Sequence, residues 1–201
     1  MAIGITFDET MLGAFALGTS EPEDGAEAGE LAGTALVMNA TVTIADLDAF
    51  IADPKHEGRL KGSIDFAPLG TGLRADDGVF NLFSPSKSAG LKYMVYEMAF
   101  RHQGKARYLA GKKHVRDDPG FDLWSDTTTL FTTLHDGTDA TAPVIGAGVL
   151  RLDMGDFLKL MSTIKVTGTR STAQRGLAVA KFGRFFMGEL WDIYRPELLA
   201  Q

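Results

Sequence analysis

Short runs of β-branched and aromatic residues follow one another along the chain, and most linkers between them are too brief to hold a helix. Parallel neighbours need a crossover of about a dozen residues, so this spacing favours antiparallel pairing. The sequence therefore predicts a mainly β domain, an antiparallel β-barrel or β-sandwich of about eight strands. The predicted strands are Thr34–Ile44, Leu60–Phe66, Gly78–Phe83, Lys92–Arg101, Lys105–Arg116, Phe121–Leu134 and Val144–Asp153.

A short turn between the fourth and fifth of these strands sets their predicted register. Gly104 fits the left-handed position of a three-residue loop, which places Arg101 opposite Lys105. Met98 then lies opposite Tyr108, and one face of both strands is apolar. Turn chemistry and face patterning agree in this register, which supports the pairing.

Polar groups continue the apolar face at one end. In this register Lys112 and His114 follow Tyr96 and Met98 on the same side, as at the polar mouth of an apolar pocket. The alternative is that the sheet simply emerges into solvent there. The candidate ligand-binding residues are Tyr96, Met98, Tyr108, Lys112 and Trp124. The candidates for general acid or base catalysis are Lys112, His114 and Asp126.

A second turn signal and a cluster of aspartates follow. Pro119 and Gly120 suit the second and third places of a type II turn, whose tightest register sets Lys113 beside Asp126. Carboxylates around this turn could bind calcium, but their spacing lacks the EF-hand pattern and neighbouring cations oppose a metal. Turn-forming aspartates with cross-strand ion pairs are the favoured interpretation. The cluster comprises Asp117, Asp118, Asp122 and Asp126.

The sequence offers no motif for a cofactor or a metal, and neither is predicted. Its four histidines are scattered, without the spacing of metal ligands. Gly70–Ala75 matches the loose G-x-G-x-x-A form of a dinucleotide loop, but a strand-like segment follows where a helix N-terminus is needed. We interpret this segment as a turn.

The segments outside the strands differ in character. Gly18–Gly29 is acidic and rich in small residues, so we predict a flexible loop. Asp46–Ala52 suits one short helical turn, and Asp156–Ile164 suits a short helix. Gln174–Tyr194 places apolar residues three and four apart, which predicts an amphipathic helix that covers the sheet or its open end. The glycines of this helix are interpreted as sites of close backbone packing; they are Gly176, Gly183 and Gly188.

Charge and composition narrow the function classes. A net charge of −6 disfavours a nucleic-acid binder, which needs surplus Lys and Arg to neutralise phosphates. The absence of cysteine excludes disulfides and thiolate chemistry. No secretory leader and no run of about 20 apolar residues is visible, so we expect no transmembrane segment and a cytoplasmic location. A single domain over residues 1–201 is expected, and strand edges make a homodimer plausible.

Several segments carry a resemblance to a known family. They include FDETMLG at Phe7–Gly13, YMVYEMAF at Tyr93–Phe100 and, most specifically, LAGKKHVRDDPGFDLWSDTTTL at Leu109–Leu130. Together they resemble a poorly characterised bacterial domain associated with or fused to flavoprotein oxidoreductases of the glucose-methanol-choline family, notably cholesterol-oxidase-like proteins. The resemblance implies an accessory role in lipid or sterol metabolism. It implies no flavin site here, because the flavoprotein's dinucleotide loop and active-site histidine have no counterparts in this sequence.

Two hypotheses about function follow. The first is a non-catalytic accessory module that binds an apolar, lipid- or sterol-like small molecule or docks on a flavoprotein oxidoreductase partner. The second is a small β-barrel enzyme, of the isomerase or cyclase type, that orients a hydrophobic substrate by pocket shape. A purely structural interaction module is a further alternative, which would show an exposed apolar patch instead of an enclosed cavity.

Overall fold

The computed structural model describes residues 2–88, 90–116, 127–152 and 162–198, with the backbone alone from residue 192 onward. Within these ranges, ten antiparallel strands form one sheet. Eight of them close into a barrel in the order β1-β2-β3-β5-β6-β7-β8-β9, with β9 pairing back to β1. The prediction of a mainly β fold is confirmed, and the barrel is the correct one of its two alternatives. The strands are β1 (Gly4–Leu17), β2 (Ala35–Ile44), β3 (Glu57–Phe66), β4 (Gly70–Ala75), β5 (Asp77–Pro85), β6 (Leu91–His102), β7 (Lys105–Arg116), β8 (Thr129–His135), β9 (Val144–Arg151) and β10 (Lys165–Thr167).

Three helices lie entirely within the described residues: α1 (Pro22–Ala32), α2 (Leu47–Ala52) and α3 (Thr172–Leu198). The predicted C-terminal helix is confirmed as α3, and the short helical turn at Asp46–Ala52 is confirmed as α2, whose N-cap is Asp46. The short helix predicted at Asp156–Ile164 falls mostly outside the described residues. No helix in the described ranges is long and apolar enough to cross a bilayer.

Strand β1 joins the two ends of the sheet. It pairs with β2 from Ile5 to Ala14 and with β9 from Leu12 to Leu17, which closes the ring. This strand is not among the predicted ones. Its inward series contains a charged residue, Glu9, and therefore lacks the uninterrupted alternation that marks a half-buried strand. Gly70–Ala75, interpreted above as a turn, is strand β4 and pairs with β3.

The hairpin of β6 and β7 has a different register from the predicted one. His102 pairs with Lys105, so the connection has two residues, and both Gln103 and Gly104 have positive φ, at 49° and 78°. Two positive-φ residues are the mark of a type I′ turn. Because side chains alternate along a strand, this one-residue slip exchanges the two faces of β7 relative to β6. Lys113 therefore faces the barrel interior, whereas Lys112 is exposed.

The predicted tight connection between β7 and β8 is also wrong. Lys112 pairs with Phe131, whereas the tight register would have placed it opposite Thr127. Strand β8 begins at Thr129, and Thr127 and Thr128 are helical. The predicted turn at Pro119 and Gly120 and the aspartate cluster of 117–126 lie outside the described residues.

Helix α1 replaces the predicted flexible loop at Gly18–Gly29. It starts with Pro22 in its first turn and ends at Gly33, whose φ of 65° is left-handed. Gly25 and Gly29 are buried against the outer face of β1 and β9. A Cβ on Gly25 would lie 2.1 Å from the carbonyl oxygen of Ala147. The prediction was wrong because glycine and alanine are common both in flexible loops and in helices that pack closely. Composition alone does not distinguish these two cases.

The prediction that the glycines of α3 allow close backbone packing is wrong. A Cβ placed on Gly176, Gly183 or Gly188 would have no described residue within 4 Å apart from the helix itself. Close backbone packing is thus a property of α1 and not of α3. Helix α3 packs instead through aromatic side chains, which lie across one end of the barrel.

Candidate functional site

A cavity of about 190 Å³ lies between the barrel interior and α3. Apolar side chains of β1, β5 and β6 form its walls, and Phe182, Phe186 and Met187 of α3 cover it. An eight-stranded barrel has an interior just wide enough to be filled by side chains or to hold one small ligand. The other half of this barrel is filled, with Met11, Phe15, Met38, Phe66 and Met98 fully buried there.

Four polar side chains among the described residues line the cavity. One is Thr127, and the other three form its floor: Glu9, Tyr96 and Lys113. Lys113 Nζ lies 3.0 Å from Glu9 Oε1, and the Tyr96 hydroxyl donates a hydrogen bond of 2.8 Å to Glu9 Oε2. Lys113 Nζ also donates to the Tyr96 hydroxyl oxygen at 3.3 Å. Each member of this cluster therefore contacts both of the others. We call it the Glu9–Tyr96–Lys113 cluster.

The cluster joins opposite walls of the barrel. Tyr96 on β6 and Lys113 on β7 are diagonal neighbours on one inner face, since Tyr96 pairs with Gly111. Glu9 comes from β1, which stands four strands away from β6 in either direction around the ring. Its contacts with Tyr96 and Lys113 therefore bridge residues 87 and 104 positions apart in sequence.

Burial makes these interactions strong. The side chains of Glu9 and Lys113 are each only 2% exposed. An unpaired charge at such a depth would cost several kcal/mol, whereas a paired and hydrogen-bonded one is tolerated. Burial, reinforced by the neighbouring Glu9 carboxylate, raises the pKa of Tyr96 well above its usual value of 10.0. Tyr96 is consequently a neutral hydrogen-bond donor throughout the physiological pH range.

Lys113 retains hydrogen-bonding capacity. An ammonium group has three N–H donors, and contacts with other described residues occupy two of them, to Glu9 and to Tyr96. Lys113 also lines the cavity. Within the part of the chain that the structure describes, the third N–H has no acceptor.

Helix α3 is held over the cavity by aromatic contacts and two ion pairs. Phe182 lies 6.2 Å from Phe7, and Phe186 lies 5.3 Å from Phe83, measured between ring centroids. The ion pairs join Lys92 to Glu189 and Lys181 to Asp48. The second pair is exposed and adds little stability, whereas the first is partly buried and supports the aromatic contacts.

Two residues beneath α3 have strained backbones. His56 has a φ of 45° and Phe83 a φ of 55°, in the left-handed region that bulky residues rarely adopt. Phe83 lies at an irregularity in the pairing of β5 with β6, and the His56 ring is 4.7 Å from Phe185. Strain of this kind persists only where the surrounding structure holds it, and it clusters at functional sites. Both residues contact aromatic side chains of α3.

The predicted site residues are dispersed. Tyr96 lines the cavity, and Met98 is fully buried in the filled half of the barrel. Tyr108 lies on the outer face, where its hydroxyl donates to Glu97 at 2.6 Å. Lys112 and His114 are also on the outer face, near Tyr93, and the His114 ring stacks on Phe131. The prediction that Lys112, His114 and Tyr108 share the inner face with Tyr96 is wrong, because of the register. Trp124 and Asp126 lie outside the described residues.

Sequence reasoning missed Glu9 and Lys113. The available signal for Glu9 was its place in the series Ile5, Phe7, Glu9 and Met11, a single carboxylate at an otherwise apolar inward position. For Lys113 the signal was the turn, because a type I′ interpretation of Gln103 and Gly104 turns this lysine inward.

Metal ligands are not assembled in the parts of the chain that the structure describes: no group of three or more His, Cys, Asp or Glu side chains could hold an ion. Comparisons with protein-family models, curated proteins and solved structures found no significant match. No relative therefore supplies a function for this chain.

Proposed function

We propose that the protein binds, inside its barrel, an apolar small molecule that carries one hydrogen-bond acceptor, such as a carbonyl oxygen. The observation that supports this most is the pairing of an apolar cavity with a buried lysine whose third N–H has no acceptor among the described residues. Ligand pockets are typically apolar, with a few polar groups that fix orientation. The acceptor of the ligand binds Lys113, and its apolar body lies under α3.

The cavity volume limits the ligand. A dry cavity of about 150 Å³ accommodates benzene, and pockets for drug-sized ligands usually exceed about 300 Å³. At about 190 Å³, this cavity suits a substituted aromatic ring or a compound of similar size. A sterol requires α3 to move away from the barrel, so the sterol-like ligand implied by the resemblance is a less direct fit. A link to flavoprotein oxidoreductases rests on that resemblance alone.

A titration with two probes of similar shape tests the proposal. Acetophenone has an aromatic ring and a carbonyl, and ethylbenzene lacks only the oxygen. We expect acetophenone to bind more tightly, by ligand-observed NMR, because its oxygen accepts the spare N–H of Lys113. Equal affinities for the two compounds would remove Lys113 from the site, and no binding of either would refute the proposal.

Two variants of α3 provide a matched control. Gly183 lines the cavity, whereas Gly176 lies on the same helix away from it, and both have open space at the Cβ position. Gly183→Phe should fill the mouth of the cavity and abolish acetophenone binding. Gly176→Phe should leave binding unchanged. Similar loss in both variants would indicate an effect on the helix and not on the cavity.

A second candidate function, proton transfer in an isomerase-type reaction, is favoured by the composition of the cluster. Glu9 is a carboxylate at the cavity floor, beside the Lys113 ammonium, which stabilises a developing enolate oxygen. Exchange of the methyl protons of acetophenone in deuterated water tests it. Catalysis implies faster exchange with wild-type protein than with Glu9→Gln; equal rates would leave only the binding function.

A further inference from the structure

We infer that Lys113 is a nucleophile that forms a reversible imine with an aldehyde or ketone held in the cavity. This inference rests on the proposed function and deepens it, since it assigns the ligand class as a reactive carbonyl compound. Three features of the structure carry it: the burial of the lysine, its accessibility from the cavity and the carboxylate at its side.

Burial separates Lys113 from the other lysines that the structure describes. Its residue is 2% exposed, and Phe7, Phe80, Leu82 and Met94 surround the cavity that it lines. Imine formation releases water, so a dry apolar site favours the product. Buried lysines in apolar pockets are the ones that proteins use for such chemistry with carbonyl compounds.

Lys113 lines the cavity, and two neighbours that also line it hold its Nζ atom in place. Glu9 and Tyr96 contact it at 3.0 and 3.3 Å, and its ammonium lies 4.8 Å from the centroid of the Tyr96 ring. These contacts restrict Nζ to the floor of the cavity. A carbonyl carbon of a bound ligand thus meets a nitrogen whose position is fixed, which lowers the entropic cost of the reaction.

Glu9 accepts and returns a proton during the reaction. The Lys113 ammonium transfers a proton to the Glu9 carboxylate, and the neutral amine attacks the carbonyl carbon. A proton then moves from nitrogen to the former carbonyl oxygen, which gives a carbinolamine. Glu9 returns its proton to the hydroxyl, which leaves as water while the nitrogen lone pair forms the C=N bond. The products are water and an iminium ion paired with the Glu9 carboxylate, so no oxidant, reductant or external proton is needed.

Reductive trapping tests the inference. The full-length protein is incubated with trans-cinnamaldehyde and sodium cyanoborohydride, which converts an iminium into a stable secondary amine. We expect one adduct, whose mass equals that of the probe less one oxygen atom. Tandem mass spectrometry of the peptide that contains Lys112 and Lys113 locates it. Lys112 is the internal control, because it is exposed and adjacent in sequence.

The possible outcomes separate this inference from the proposed function. Modification of Lys113 ahead of Lys112 and the other exposed lysines supports the inference. Reversible binding of cinnamaldehyde without an adduct at Lys113 overturns it and leaves the binding function intact. The absence of both binding and adduct overturns both.

A Glu9 variant tests the role of the carboxylate. Glu9→Gln keeps the shape of the side chain but cannot accept the proton of Lys113, so we expect trapping to slow about 100-fold. Lys113→Arg, which retains a cation for Glu9 but no nucleophilic amine, should give no adduct at position 113 while keeping the fold. A trapping rate in Glu9→Gln equal to the wild-type rate would overturn the mechanism.

Discussion

Lys112 and Lys113 are neighbours in sequence with opposite environments. Lys112 is exposed on the outer face, whereas Lys113 is buried in an ion pair with Glu9. Strand alternation alone produces this difference, since successive side chains point to opposite faces. The pair therefore provides a matched comparison of one substitution inside and outside the barrel.

Substitution of Lys113 by methionine should be strongly destabilising. It leaves the Glu9 carboxylate buried without its cation, which typically costs about 3–5 kcal/mol. Lys112→Met should change the free energy of unfolding by no more than about 0.5 kcal/mol. Urea denaturation measures both. Similar effects at the two positions would show that Lys113 is not buried beside Glu9.

The double variant Glu9→Met/Lys113→Met separates the charge from the packing. Removal of both charges leaves no unpaired ion, and replacement of a buried ion pair by apolar residues is often neutral or stabilising. We expect the double variant to recover most of the stability that Lys113→Met loses. If it is no more stable than Lys113→Met, packing and not the lost ion pair accounts for the damage.

Tyr96 should make stability depend on alkaline pH. Burial and Glu9 raise its pKa in the folded state above the value of 10.0 expected in the unfolded chain. Above pH 10 the unfolded state therefore loses its proton first, and the free energy of unfolding falls as the pH rises. Below pH 10 this contribution is fully present.

Comparison with Tyr96→Phe isolates this contribution. The difference in stability between wild type and variant should be constant below pH 10 and should shrink above it, in urea denaturation at each pH. The pKa of Tyr108 is also raised, by partial burial and by its bond to Glu97, so Tyr108→Phe serves as a second reference. A Tyr96 phenol that ionises near pH 10 in the folded protein would contradict its burial against Glu9.

The sequence predicted the secondary structure of the central hairpin better than its register. The predicted bounds of β7 are correct. Glutamine is not a typical residue at the positive-φ positions of a type I′ turn, so the sequence favours a longer loop with Gly104 alone in the left-handed position. Both registers give one largely apolar face, because β7 carries Ala106, Tyr108 and Ala110 on one side and Leu109, Gly111 and Val115 on the other. Hydrophobic pattern alone could not choose between them, and the placement of Lys112 and His114 depended on that choice.

Helix α1 depends on two glycines for its contact with the barrel. A Cβ on Gly29 would lie 2.4 Å from the backbone nitrogen of Phe15. Gly29→Ala should therefore destabilise the protein by about 1–3 kcal/mol, the usual cost of overpacking. Thermal unfolding measures the change.

Gly176→Ala on α3 is the matched control. Its Cβ would enter open space, so the higher helix propensity of alanine should stabilise the protein by about 0.5–1 kcal/mol. The two substitutions thus have opposite expected signs. Stabilisation by Gly29→Ala would show that α1 does not pack closely on β1.

Closure of the barrel determines where the site lies. The Glu9–Tyr96–Lys113 cluster exists only because β9 pairs with β1 and brings Glu9 across from β6 and β7. Such long-range pairings leave little local trace in a sequence, whereas hairpins and amphipathic helices are encoded locally. Strand content, antiparallel pairing and the covering helix could therefore be predicted, but the residues of the cavity floor could not.

The two halves of the barrel interior differ in how completely side chains fill them. Large side chains fill one half, and the cavity occupies the other half, between the cluster and α3. Methionines occur in both halves, with Met94 and Met187 at the cavity and Met11 and Met38 in the filled part. Their methyl groups are natural reporters of where a ligand enters.

The most direct test is an NMR titration of protein labelled with ¹³C at the methionine methyl groups. We predict that acetophenone shifts the signals of Met94 and Met187 and leaves those of Met11 and Met38 nearly unchanged. Assignment by single substitution to leucine identifies each signal. Shifts that leave out Met94 and Met187 would contradict the account, because the ligand would then bind outside the cavity above the Glu9–Tyr96–Lys113 cluster.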